Sequence, residues 1–361
     1  MRALLLAALL PFAACRATDA APMPVAAAGT LLLCGGGLDN DTAGVWQRFV
    51  QLATARGGGS VVIVTAATGP QEVEVADKTE ALRTWAPTLP VEVVLRETST
   101  TDTVAAIERA TALFFTGGDQ KRITARYRPN DEPTPEWHAM ARLLARGGVI
   151  AGASAGCAMM GRQMLEGGRS AQALGLPAPA SEGEEPVPVG PRLGAGMQFL
   201  PLGLTDSHFF ERDRVGRLVA GLLASGERFG LGVGEDAALE VDLAEGAVVG
   251  LTPSESLLVD AAQARREGNV WTGMRARLVA PGERVSLRMP VATDVRKMPD
   301  GVAHEVPIVE PGQNRQLASW RLFRQAAHPA AGVVRLRCDG WSVRACAAGD
   351  GWVTFAIEIA N

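Results

Sequence analysis

The chain has 361 residues, 47% of them apolar and 20% charged, with 35 basic and 39 acidic side chains and a net charge of −4. That is enough apolar chain for one α/β core of about 250 residues plus an appendage, and the acidic balance, without a basic run interleaved with aromatics, argues against a nucleic-acid partner. The five cysteines form neither a Cys-x-x-Cys pair nor a His/Cys cluster at metal spacing, so no metal site and no cofactor are expected.

In chain order, a lone Arg2, an apolar run over residues 3–14 and then Cys15 have the shape of a secretory signal over residues 1–15, too short to span a bilayer. Ala13-Ala14-Cys15 resembles the end of a bacterial lipobox, with Phe12 where a small aliphatic residue is usual. Cys15 is then either a lipid-anchored first residue or a residue beside a plain cleavage site, and the protein is expected outside the cytoplasm, periplasmic, outer-membrane-anchored or secreted. Export permits a disulfide between Cys338 and Cys346, which flank Gly340 and Trp341 on an expected hairpin. Cys34 and Cys157 fall in expected buried segments, where thiols pack as small hydrophobes.

Residues 16–28 are an Ala/Pro linker without periodicity. From Thr30 strands and helices alternate. Strands are expected over 31–34, 61–64, 91–95 and 113–116, and helices over 42–56, 72–85, 101–109 and from Pro133-Thr134-Pro135 to about Arg146. Continuous apolar strands separated by helices imply a parallel sheet covered on both faces. The triple glycine 35–37 lacks the Gly-x-Gly-x-x-Gly spacing of a dinucleotide site. Residues 166–195 read as a loop, with the acidic piece 182–185 at its centre. Peripheral strands are expected between 238 and 287, and residues 289–361, of different texture, as an extension with one helix (319–327) and strands at 333–338 and 352–359.

The stretch Gly147 to Cys157 carries the chemistry: an apolar run ends in Gly152-Ala153-Ser154-Ala155-Gly156 and continues into small and apolar residues. This is the pattern of a nucleophile elbow, in which Ser154 stands at the edge of the sheet and the N–H groups of a following helix face a developing oxyanion. The structural alternative is a glycine-softened turn with an inert serine. A serine nucleophile needs a base. Of the four histidines, His138 sits mid-helix and His304 and His328 lie in the extension; His208 is fed into the fold by the apolar stretch 197–204 and is crowded by charge. Asp206, Glu235 and Asp236 are the acids available to orient it, and Glu235 is preferred because it ends an apolar segment. Arg212, Arg214 and Arg217 follow His208 closely, as a carboxylate clamp would, or as a solvated helix face paired with Glu211 and Asp213.

Phe115-Thr116-Gly117-Gly118-Asp119-Gln120, the elbow, Asp206-x-His208-Phe209 with the three arginines, and Gly232-Val233-Gly234-Glu235-Asp236 together resemble the cyanophycinase family of serine exopeptidases, which includes aspartyl dipeptidases. The resemblance covers about 29–288 and implies an α/β parallel-sheet three-layer sandwich like that of class I glutamine amidotransferases, here with a small C-terminal α+β extension (289–361). It implies Ser154 as nucleophile, His208 as base and Glu235 as charge-relay acid; the N–H groups of Gly118 and Ala155 are expected to hold the oxyanion. Gln120, Asp206, Ser207, Arg212, Arg214, Arg217 and Asp236 would surround a β-linked aspartyl group. Ser207 stands where glutamine is usual, Asp236 where asparagine is common, and Gly234 where aspartate is frequent, so the reaction class is firmer than the substrate. The implied substrate is cyanophycin or an acidic β-linked peptide; the rival readings are an aspartyl dipeptidase and a non-catalytic binding protein on the same scaffold. The expected partners are that substrate, a lipid at Cys15 and a second copy of the chain.

Overall fold

Short, wholly apolar segments cannot stay in water, and a parallel sheet hides them on both faces. In the computed structural model, which describes residues 28–176, 188–292, 298–299, 304–306 and 318–360, they form β1 (Thr30–Cys34), β2 (Val61–Val64), β3 (Val91–Val94), β4 (Ala112–Phe115) and β5 (Val149–Ala153). Their order is β1-β5-β4-β2-β3, all parallel. Between them run α1 (Ala43–Thr54), α2 (Gln71–Trp85), α3 (Thr100–Arg109), α4 (Gln120–Tyr127) and α5 (Pro135–Ala145). Thr134 caps α5 by accepting the Trp137 N–H, and Pro135 opens it where no N–H is needed. Trp46 and Phe49 of α1 pack on Phe114 from one face. Met140 and Leu143 of α5 join Leu113 and Ile150 in the core on the other. The result is a three-layer α/β sandwich. α4 is not among the expected helices, because its polar surface hides the buried Ile123 and Tyr127.

After the elbow come α6 (Ala155–Ala158), β6 (Gln163–Gly167), α7 (Ser170–Ala173) and β7 (Arg192–Ala195), then β8 (Leu204–Asp206), α8 (Val215–Ser225) and β9 (Phe229–Gly232). β6 and β7 pair within the segment read as a loop. β10 (Ala238–Asp242) and β11 (Ala247–Gly250) extend the first sheet beyond β1 in antiparallel fashion. The glycine-rich stretch 231–239 therefore divides between two strands in different sheets, with Glu235 on the crossing between them.

β12 (Ser256–Asp260), β13 (Arg265–Glu267), β14 (Val270–Val279), β15 (Arg284–Ser286), β16 (His304–Glu305), α9 (Ala318–Ala326), β17 (Val334–Cys338), β18 (Trp341–Gly349) and β19 (Trp352–Ile359) complete the chain. β15 joins the first sheet; a second sheet has the order β16-β17-β18-β19-β14-β12-β9-β8, with β13 beside β14. Where described, the segment 289–361 is thus continuous with the sheet that carries β8, because β19 pairs with β14, Met274 opposite Phe355.

The register corrects the expected disulfide. Cys338 faces Trp341 across the β17–β18 hairpin, so Cys346 lies five positions further along, about 16 Å away at the rise of a strand, and the odd offset puts the two side chains on opposite faces. A disulfide needs Cα atoms within about 7 Å, and the two sulfurs are not bonded. The signal at 1–15 with Cys15, residues 16–27 and the acidic piece 182–185 lie outside the described residues.

Candidate active site

The elbow is built by close approach of backbone. A Cβ on Gly152 would lie 2.3 Å from the Gly156 carbonyl oxygen, and one on Gly156 would lie 2.7 Å from that of Phe115. Only glycine allows strand β5 to fold directly onto the next turn. Between them Ser154 takes φ +53° and ψ −105°, a strained conformation of the kind that clusters at functional sites. The following helix is a single turn, Ala155–Ala158, so oxyanion stabilisation would rest on particular N–H groups rather than on a long helix dipole. The Ala155 N–H, first in that turn, has no intrahelical acceptor. Gly118, at φ +137°, sits in the turn after β4, where a Cβ would meet the Ala67 carbonyl oxygen at 2.2 Å; a Cβ on the neighbouring Gly117 would lie 3.5 Å from that of Ser154.

His208 arrives from the second sheet, two residues past the end of β8. Thr205 donates to the Cys157 carbonyl at 2.7 Å and so ties this strand to the elbow helix, while the His208 N–H donates to the Gly35 carbonyl at 2.8 Å. Ser154 Oγ and His208 Nε2 are 2.8 Å apart, and His208 Nδ1 and Glu235 Oε1 are 2.6 Å apart. With Nδ1 holding the proton that bonds Glu235, Nε2 is left as an acceptor aimed at the serine hydroxyl. Burial pushes the His208 pKa below its ordinary value, the Glu235 bond opposes this, and the charge of Arg212 adds to the lowering. The imidazole is therefore neutral near pH 7, as a base must be.

The triple glycine finds its reason here. A Cβ on Gly36 would stand 2.4 Å from the His208 ring, and one on Gly37 would lie 3.3 Å from Glu235 Cβ. The run is a slot cut for the imidazole and its acid. In the sequence the run stands out only as a failed nucleotide loop; its place at the carboxyl edge of β1, next to the elbow strand, is what marks it for the site. Thr205 carried no signal of its own.

The remaining candidates separate. Asp206 is fully buried, with Oδ2 accepting from Arg217 Nε at 2.8 Å and Oδ1 from Arg214 Nη1 at 3.2 Å and the Ser207 N–H at 3.0 Å. Arg217 is buried with it. Together they hold the loop after β8. Burial pushes the Arg214 pKa down to about 10, against the pull of Asp206 and with the repulsion of Arg217 and Arg212. Arg212 is exposed, and among the described residues its guanidinium makes no ion pair. Ser207 is buried, its carbonyl receiving Arg214. Gln120 donates to the Leu165 carbonyl at 2.7 Å, bridging α4 to β6. Asp236, exposed and at φ +52°, accepts the Asp39 N–H.

Cys157, one turn from the nucleophile, is buried, and burial drives its pKa well up, as it pushes that of Cys34 up to about 12. Both thiols are inert packing groups. Among the described residues no group of His, Cys, Asp and Glu side chains is placed to hold a metal ion.

No family model matches the chain. It is 34% identical over 160 residues to the cyanophycinases of Trichormus variabilis and of a Nostoc species, which covers 42% of this chain and 48% of theirs. It is 34% identical over 131 residues to that of Geminocystis herdmanii, covering 36% and 42%. The matched part spans about half the length of these curated relatives. The crystal structure of a peptidase from an acI-B1 actinobacterium superimposes with a TM-score of 0.53 over 72% of this chain and 98% of its own, at 16% identity, and so shares the fold.

Proposed function

We propose that this chain, a member of a cyanophycinase-like family, is an exported serine exopeptidase that cleaves the β-linked aspartyl-arginine units of cyanophycin. One observation carries the reading: Ser154 Oγ, the His208 ring and Glu235 Oε1 form an unbroken line of contacts at 2.8 and 2.6 Å. Ser154 attacks the amide carbon while His208 Nε2 takes its proton, and Glu235 stabilises the imidazolium that results. The N–H groups of Ala155 and Gly118 receive the oxyanion. His208 then protonates the leaving amine, and water, activated by the same imidazole, frees the serine. Arg212, exposed beside His208 and, among the described residues, without an ion pair, supplies a fork for a substrate carboxylate. Asp236, exposed next to Glu235, is an acid open to a guanidinium. Export rests on the signal pattern of residues 1–15.

The test is to incubate the purified protein with insoluble cyanophycin and, separately, with α- and β-linked aspartyl dipeptides. Release of β-Asp-Arg from the polymer, abolished by Ser154→Ala, is the expected result. Cleavage of the dipeptides with the polymer untouched would make the enzyme an aspartyl dipeptidase, the reading left open by Ser207 and Asp236. No hydrolysis of either would leave a binding protein on a peptidase scaffold.

A further inference from the structure

One half-buried acid beside the triad has no part in the chemistry above. Glu211 lies on the loop that carries His208, and its carboxyl packs over the backbone leading to Glu235: a Cβ on Gly234 would stand 3.3 Å from Glu211 Oε1 and 3.6 Å from Oε2. The N–H groups of Glu211 and Glu235 lie near enough to the carboxylate to favour its charged form. Oε2 is buried with no hydrogen-bond partner among the described residues. Burial, and then the charges of Glu235 and Asp236, raise its pKa, while the two backbone N–H groups hold it down. A site that places a third carboxylate against two others, with one oxygen unsatisfied, works against its own electrostatics.

The backbone of the connection shows what that carboxylate does. The Val233 N–H donates to Asp206, the Asp236 N–H to Gly36 and the Ala237 N–H to Gly234. The N–H of Glu235 itself faces the Glu211 carboxylate, which packs on the same stretch of backbone. The Glu235 side chain is 36% exposed, and among the described residues its carboxylate makes no hydrogen bond besides the one to His208. A half-exposed glutamate with a single anchor keeps its rotamer only if the peptide beneath it is fixed.

We propose that Glu211 is a positioning residue: by accepting the Glu235 N–H it sets the peptide from which Glu235 reaches His208. The inference rests on the triad reading above, and its tests are chosen to fail separately from it. Glu211→Ala removes the acceptor, whereas Glu211→Gln keeps a carbonyl acceptor of the same reach and removes the charge. On the substrate that the wild-type enzyme hydrolyses, Glu211→Ala should lower kcat about tenfold or more with KM within about twofold, and Glu211→Gln should recover most of that loss. A second readout needs no substrate: the rate at which a fluorophosphonate labels Ser154, followed by mass spectrometry, should fall in Glu211→Ala and recover in Glu211→Gln. If the wild type is labelled but cleaves no aspartyl peptide, the labelling rates alone decide for Glu211 while the substrate reading falls. Wild-type kcat and labelling rate in Glu211→Ala, or equal impairment of the two variants, would overturn the positioning role. A wild type that fails to label at Ser154 would overturn both.

Discussion

β9 has a buried aspartate beside each of its ends. Asp206 pairs with Gly232 across one edge, and Asp260 pairs with Phe229 across the other. Both are buried, at 0% and 3% exposure, and both are held by two arginines, Asp206 by Arg217 and Arg214, Asp260 by Arg228 at 3.0 Å and Arg275 at 2.8 Å. Their surroundings differ. The Asp260 knot binds β12 to β14, with Arg228 continuing to the carbonyls of Met289 and Pro290 and Arg275 lying 4.6 Å over the Trp352 ring. The Asp206 knot fastens the loop that carries His208. An acid clamped by arginines is therefore no mark of a substrate site in itself, since burial demands such pairing wherever a charge enters a core. What distinguishes the two is the imidazole two residues away from one of them.

The sharpest way to break this comparison is to set Glu235 against Asp206. Glu235→Gln should lower kcat by about three to four orders of magnitude with KM and the urea midpoint nearly unchanged, because it removes stabilisation of the imidazolium and no buried pairing. Asp206→Asn should instead lower the midpoint. Loss of turnover at unchanged stability in Asp206→Asn would make that acid a partner in the chemistry and end the parallel with Asp260.

Next in size, Asp206→Ala and Asp260→Ala should each cost about 3–5 kcal/mol in urea unfolding, since each strands two arginine charges in a partly buried place. They should part in activity: at temperatures where both are folded, Asp260→Ala keeps wild-type kcat and Asp206→Ala does not. Equal losses of kcat would mean that the second sheet acts on the site as a unit.

Arg212→Ala gives a smaller effect of the opposite kind. It should raise KM about tenfold, as expected for a lost contact to a carboxylate, with unfolding free energy within about 0.5 kcal/mol of wild type because the side chain is exposed. An unchanged KM would remove Arg212 from the substrate reading.

The smallest effects are in pH. His208 is depressed, chiefly by burial, so kcat/KM should rise with pH through an inflection below the ordinary histidine value of about 6.5. Burial raises Asp260, but bonds from Arg228, Arg275 and the Ala262 N–H outweigh it and leave the group lowered. Its stabilisation is present above the ordinary aspartate value of about 3.9 and is lost as pH falls through the lower folded value. Acid unfolding of Asp260→Asn should lack that component, while the acid limb of its kcat/KM profile stays where it was.

Much of the first sheet was legible because its signals are local. An apolar run of four or five residues with a helical period after it specifies strand and helix without reference to anything distant, and the Leu31-Leu32-Leu33 and Val61-Val64 runs lie where that pattern puts them. The glycines at 152 and 156 were legible for the same reason. α4, the β6–β7 pair and β18 were not, since their polar faces dilute the pattern that burial of the other face would reveal. A turn between Cys338 and Cys346 was expected, but neither the strand β18 beyond it nor the register was, and register decides whether two sulfurs can meet.

Ser154, His208 and Glu235 could be named from the sequence, as could Gly35, Gly36 and Gly37, yet nothing in their spacing says that the glycines make room for the imidazole. The nucleophile follows a strand of the first sheet, the base follows a strand of the second, and the acid lies on the crossing between the two sheets. The sequence by itself determined which segments would be buried and where a strained turn could hold a hydroxyl, because hydrophobic period and glycine act over neighbouring residues. Which arginine meets Asp206, which carboxylate meets His208, and that residues beyond 288 complete the sheet behind them, only the tertiary structure decided, because charge pairing and strand pairing depend on distances between residues far apart in the chain.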